Sequence, residues 1–192
     1  RACLQCLAPK SWITDSTFSL EIGKSYPRSE LLMRLTELGY ARRRQVNELG
    51  DMAVRGSVID VSLLGENSPV RLDFFDDSLE SIRYFSLDNQ RSQESTESIK
   101  ILPAREFPLE ENSVVRFKKN WRLAFGSKNV ERGMYDDISH GIYSAGVEYY
   151  LPFFFSNVES LIDYLSVDSI VICDADSEKR IAEIKKSYQD RF

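Results

Sequence analysis

Few side chains in this sequence carry the types and spacing that chemistry needs. Cys3 and Cys6 stand three positions apart, the bite of half a zinc site, since two thiolates at that separation reach one metal. A full site takes two more ligands, and the chain offers only Cys173 and the single His140, both far along the sequence. No strand–turn–helix pattern surrounds the pair to make it a redox motif, so plain thiols are the expectation. Gly23-Lys24-Ser25 matches the tail of a phosphate-binding loop, but Phe18 stands where the first glycine of that loop belongs, and the backbone N–H groups lose the turn that wraps a phosphate. Ser144 is no nucleophile elbow, because Gly141 and Gly146 are misplaced around it. His140 has no nucleophile matched to it. Asp76-Asp77 and Asp136-Asp137 are adjacent pairs, and neighbours on a strand point apart, so they read as solvated turns rather than shared acid–base sites. No catalytic residue, metal site or cofactor is expected.

What the sequence does carry is recognition chemistry. Residues 53–85 read as three strands joined by two turns, one at 65–69 and one at the acidic corner 76–78. Between the turns, alternation sends Val70, Leu72 and Phe74 to a core face and Arg71, Asp73 and Phe75 to the wet face. An aromatic beside a charge pair on a face that should be plain marks a binding surface. Arg55 falls, by strict alternation, on the buried side with Ile59, Val61 and Leu63. An arginine is almost never left buried without a partner, so a β-bulge at Gly56 is expected to free it.

Several elements must position this strip. Residues 12–22 alternate loosely and read as a strand. A helix opens at Pro27, carries Leu31, Leu32, Leu35 and Leu38 on one stripe, and closes at Gly39. Residues 40–46 read as an edge strand with three consecutive arginines, Arg42, Arg43 and Arg44. Residues 86–98 are polar and turn-rich with no core pattern, and 99–103 form a short strand. Pro103 and Pro108 then punctuate a boundary. Beyond it, Val114, Phe117, Trp121 and Phe125 repeat at helical spacing with Arg116, Lys118, Lys119 and Arg122 flanking them. Residues 129–139 continue helically, the aromatic run 141–155 reads as packing, and 158–164 as a short helix. Residues 169–174 form a continuous apolar run ending in an acid, the pattern of a strand buried on both faces of a parallel sheet. A closing helix covers 178–188.

The bulk properties bound the function. With 192 residues, 42% hydrophobic and 29% charged, the chain can bury a core as one or two compact units. Thirty acidic residues against 25 basic ones, net −5, put an independent DNA-binding role at a disadvantage. No apolar run approaches the ~20 residues of a membrane helix, and no signal peptide opens the chain. The first residue is Arg, as in a piece of something longer, and three cysteines build no disulfide framework, so a reducing, cytoplasmic setting is expected.

Taken together, the run R-G-S-V-I-D-V at 55–61 and the run R-L-D-F-F-D-D-S-L-E-S-I-R at 71–83 resemble the UvrB-homology region at the N-terminus of the bacterial transcription-repair coupling factor (Mfd) family. The segments 38–40, 88–92 and 102–108 look like the coupling factors rather than UvrB itself, while 145–150 and 161–165 match motifs shared by both. The resemblance implies a mixed α+β architecture: residues 1–22 end a degenerate RecA-like domain, 23–108 form an inserted α+β UvrA-binding domain, 109–165 a flanking mainly helical domain, and 166–192 return to the RecA-like sheet and a closing helix. It implies UvrA as partner, docked through Arg55, Arg71 and Phe75, and the alternation adds Asp73 on the same face. It further implies that a C-terminal domain of the parent protein masks this face, and that RNA polymerase, DNA and an ATP-driven motor are engaged by other domains. UvrB ends its corresponding strand in Asp-Glu, acids that hold magnesium and orient the attacking water; Asp174-Ala175 lacks the glutamate, so ATP hydrolysis by this part is not expected. Two alternatives stand beside the UvrA-recruiting role: an ATP-dependent damage-processing subunit of the UvrB type, and a direct DNA-holding domain using Arg42, Arg43, Arg44 and the basic helix around Trp121.

Overall fold

The computed structural model describes residues 5–126, 133–143, 145–172 and 175–189. The chain enters through a short helix, α1 (Lys10–Ser16), then β1 (Phe18–Glu21). Residues 12–22 are thus not one strand. Trp12 and Ile13 pack into an aromatic cluster rather than alternate, and alternation begins only at Phe18. Helix α2 (Arg28–Glu37) follows Pro27 as expected. It ends in a Schellman motif, with Gly39 N–H donating to Thr36 O and Tyr40 N–H to Leu35 O, and Gly39 at φ +99° supplies the left-handed residue that motif requires.

The sheet is then laid down almost as a meander: β2 (Ala41–Arg42), β3 (Asp51–Arg55), β4 (Val58–Val61), β5 (Val70–Phe75), β6 (Ser78–Phe85) and β7 (Ser92–Thr96), side by side in that order. All neighbours are antiparallel except β2, which runs parallel to β3 at the edge. Only two residues of the arginine-rich 40–46 segment enter the sheet. Residues 86–98, expected to be turns alone, contain β7; its side chains are almost all exposed, and an edge strand held by backbone hydrogen bonds needs no apolar pattern to announce it. A separate two-stranded ribbon pairs β1 with β8 (Ser98–Ile101).

One aliphatic core unites these pieces. Leu31 and Leu35 of α2 pack with Leu20, Ile59, Val61, Leu72, Phe74, Leu79, Ile82, Ile99 and Ile101. Val70, Leu72 and Phe74 are buried as alternation predicts. The acidic corner does more than turn the chain. Asp76 adopts φ +53°, a conformation aspartate tolerates, and Asp77 Oδ1 accepts the N–H of Arg28 at 3.1 Å, capping the start of α2 from the turn between β5 and β6.

After the linker 102–110, α3 (Glu111–Phe125) and α4 (Met134–Ser139) join a 3-10 helix at Val147–Phe153 around a second cluster. Phe107, Phe117, Trp121, Tyr135 and Phe154 form its centre. Trp12 of α1 meets Phe155 edge-on at 5.6 Å, and Leu7 bridges to Glu159, so the beginning of the chain packs with this helical unit. The expected helix at 158–164 is reduced to a 3-10 turn, Ile162–Tyr164. Residues 169–172 form no strand, and Ile170, Val171 and Ile172 are exposed. A strand buried on both faces needs flanking strands, and the described residues supply none beside it. Helix α5 (Ala175–Gln189) closes the chain. The mixed α+β class is observed as expected.

Candidate functional site

The two-residue connection Gly56-Ser57 decides where Arg55 points. Arg55 pairs directly opposite Val58, with Gly56 at φ +58°, so β3 and β4 form a tight hairpin with positive φ at the first central residue. The expected bulge at Gly56 is therefore a turn, and residues 53–85 hold four strands rather than three. The turn resets the alternation: pairing of Ala53 with Asp60 and of Asp60 with Arg71 places Arg55, Asp60, Arg71 and Asp73 on one face, away from α2. A bulge does occur two hairpins later, where the register between β5 and β6 shifts at Asp73/Phe74.

The outer face is a network of ion pairs. Asp60 is 2% exposed, and its carboxylate accepts Arg71 Nε at 2.7 Å and Arg71 Nη2 at 2.9 Å, a two-point guanidinium–carboxylate pair. Arg55 Nη2 donates to the same Asp60 Oδ2. Arg71 also sends Nη1 toward Gln90 O at 3.3 Å and Ser92 Oγ at 3.5 Å, and its Cζ lies 4.7 Å from the centroid of the Phe85 ring. The hydrogen bond to Asp60 raises the Arg71 pKa further above its ordinary value, against the opposing effect of partial burial. Asp73 pairs with Arg83 at 3.4 Å and accepts from Ser57 Oγ at 3.5 Å. Beneath this layer Val46, Ala53 and Phe85 form a small buried cluster. Phe75, at the end of β5, is 73% exposed.

Arg55, Arg71 and Asp73 therefore share one face of the sheet with Phe75 at its end, as the sequence suggests. Asp60 was not among the expected residues. Within an apolar run, V-I-D-V, it reads as an ordinary polar position, and the parity error at Gly56 hid its place beside the arginines.

Elsewhere the candidate chemistry disperses. Cys6 is exposed and free, while Cys3, Cys173, Asp174 and Ser144 lie outside the described residues. His140 is exposed and contacts Asp136 of its own helix at 3.4 Å. Lys24 pairs with Glu21 at 2.8 Å on the surface. Of the three consecutive arginines, Arg43 is tied to the buried Asp51 at 3.3 Å, while Arg42 and Arg44 are exposed. Among the described residues no group of three or more His, Cys, Asp or Glu is placed to hold a metal ion. No helix among them is long and apolar enough to cross a membrane.

Comparison with known proteins gives this face a family. Residues 18–107, from β1 to the end of the linker's apolar anchor at Phe107, match the UvrB interaction domain. The transcription-repair-coupling factor of Escherichia coli strain K12 is 33% identical over 190 residues, covering 98% of this chain and 17% of that protein. The protein of the same name from Haemophilus influenzae is 34% identical over 188 residues, 97% of this chain and 16% of that protein. That of Bacillus subtilis strain 168 is 31% identical over 202 residues, again 98% and 17%. The chain spans about a sixth of the length of the relatives it matches. Residues 18–107 thus match the UvrB interaction domain, and across its length the chain is similar to a segment of the transcription-repair-coupling factors.

Proposed function

We propose that this chain is the UvrA-recruiting module of a transcription-repair coupling factor, linking stalled RNA polymerase to nucleotide excision repair, with no catalysis of its own. One observation carries the proposal. In a UvrB interaction domain, the sheet face opposite α2 presents Arg55 and Arg71 gathered on one carboxylate, with the exposed ring of Phe75 at its end. Arginines and an aromatic on a rigid sheet are the side chains that dominate protein interfaces. Asp73, neutralised by Arg83, borders them. UvrA docks there; RNA polymerase, DNA and the ATP-driven motor belong to parts of the parent outside this chain, and a C-terminal domain of that parent covers the face until it is released. The setting is the bacterial cytoplasm.

Titration of purified UvrA against the chain and its Arg71→Ala and Phe75→Ala variants tests the proposal. Each substitution is expected to cost on the order of 2 kcal/mol of binding, about 30-fold in affinity. Wild-type affinity for both variants would sink it.

A further inference from the structure

We infer that Asp60 is a positioning residue of the docking face, holding the guanidinium groups of Arg55 and Arg71 in one arrangement before a partner arrives; this rests on the UvrA-docking proposal above. Asp60 sits on the outer face, cross-strand from Ala53 on one side and Arg71 on the other, and is nonetheless withdrawn from water. A carboxylate so placed persists only where its charge is paired and its oxygens are hydrogen-bonded. Both conditions are met by the two arginines: Oδ1 takes Arg71 Nε, and Oδ2 takes both Arg71 Nη2 and Arg55 Nη2. The other acid of this face, Asp73, is engaged by Arg83 and Ser57.

The two arginines are held unequally. Arg71, with its side chain 18% exposed, spends Nε, Nη1 and Nη2 on Asp60, Gln90 and Ser92 and lies over Phe85. Arg55, 54% exposed, shares a single oxygen, and its other donors meet no partner among the described residues. Arg71 thus fixes Asp60, and Asp60 fixes Arg55. Removing the carboxylate charge leaves two cations side by side with nothing between them, and their ordering must then be met at the moment of docking. Asparagine at position 60 keeps one acceptor oxygen but turns a donor NH2 toward guanidinium N–H groups, so the two-point hold fails.

The test compares UvrA affinity of the full chain with Asp60→Asn, Arg71→Lys, Phe75→Ala and the Arg55→Ala/Arg71→Ala background with and without Asp60→Asn. Asp60→Asn is expected to weaken binding about tenfold. Arg71→Lys, which keeps the charge and loses the two-point geometry, is expected to do the same. In the double-alanine background Asp60→Asn should change affinity less than about twofold, because its effect passes through the arginines. NMR supplies a readout independent of UvrA: the Arg71 Nε–H resonance is expected to be protected from exchange in the wild type and to lose that protection in Asp60→Asn. Weak binding by Phe75→Ala with undiminished binding by both Asp60→Asn and Arg71→Lys would overturn the inference and leave the docking face standing. Equal weakening by Asp60→Asn with and without the arginines would also overturn it, since the residue would then act through folding alone. Undiminished binding by Phe75→Ala and Asp60→Asn alike would remove the docking proposal and this inference together. If Asp60→Asn does not fold, Arg71→Lys and the Nε–H signal of the wild type decide the matter alone.

Discussion

The sheet unit and the helical unit fill their interiors with different chemistry. Around α2 the core is aliphatic, with Leu35, Ile59, Leu72 and Ile82 fully enclosed, and the opposite face of the same sheet carries paired charges. Around α3 the core is made of rings: Phe117 lies 4.8 Å from Phe154 and 5.4 Å from Trp121, and Trp121 lies 5.0 Å from Tyr150. Trp121 Nε1 and the Tyr135 hydroxyl are buried there with no hydrogen-bond partner among the described residues, whereas on the sheet face the buried carboxylate oxygens of Asp60 are both used. The helical region spends most of its aromatics on volume, with Tyr143 and Tyr149 left exposed, and the sheet exposes Phe75 beside an ordered set of charges. If the proposed docking face is right, charge pairing on an exposed sheet face is a better guide to the partner site in this chain than aromatic density.

The sharpest way to break that contrast is to truncate one phenylalanine in each region. Phe117 is fully buried against the rings of Trp121, Tyr135, Phe153 and Phe154, so Phe117→Ala is expected to cost about 3–5 kcal/mol of stability. Phe75→Ala, at an exposed position, is expected to change stability by no more than about 0.5 kcal/mol, whatever it does to the proposed UvrA affinity. Urea denaturation of both variants reads the difference. Comparable destabilisation by the two would mean that Phe75 is a packing residue and that the contrast fails.

Much of the sheet unit was legible because its signals are local. The leucine stripe of α2 with Gly39 after it, and the alternation of β5, each specify one element from adjacent residues. What was not legible depended on pairing. The hairpin at Gly56 changes parity through one φ angle, and a glycine in a strand pattern is compatible with either a bulge or a turn. Strand β7 has no apolar side, so periodicity could not show it. The run at 169–172 has the composition of a buried strand but no neighbouring strand among the described residues, and composition cannot supply one. Of the site, Arg71, Asp73 and Phe75 followed from alternation alone, Arg55 came with the family resemblance, and Asp60 required the three-dimensional register.

A smaller effect distinguishes the interior of the sheet unit from its charged face by pH. Tyr40 is buried at the end of α2, and its hydroxyl donates to Leu102 O at 2.8 Å. Burial pushes its pKa up to about 12, while the unfolded tyrosine titrates near 10. The protonated form is the one the fold holds, so this contribution is complete below about pH 10. Between about pH 10 and 12 the unfolded chain releases a proton that the folded chain keeps, and stability falls by up to about 1.4 kcal/mol per pH unit. Urea midpoints measured at pH 8 and pH 11 are expected to diverge more in the wild type than in Tyr40→Phe. Equal divergence in the two would assign the alkaline loss to other groups.

Gly56 offers the finest test of how the face is built. Nothing lies within 4 Å of a Cβ added there, so any cost of substitution comes from the backbone at φ +58° rather than from crowding. Alanine in the left-handed region costs about 1–2 kcal/mol, and asparagine, which reaches that region more readily, costs less. Gly56→Ala is therefore expected to lower the melting temperature by a few degrees and Gly56→Asn by less, at about 2–4 °C per kcal/mol for a chain of this length. The Gly56 carbonyl also accepts from Arg28 of α2, so the hairpin is tied to the helix on the far side of the sheet as well as to Arg55. If the turn keeps its geometry in Gly56→Asn, Arg55 stays opposite Val58 and UvrA affinity stays within about twofold of wild type. A large loss of affinity in a well-folded Gly56→Asn would show instead that the aim of Arg55 depends on glycine itself and that two residues of turn, more than the ion pair with Asp60, set the proposed docking face.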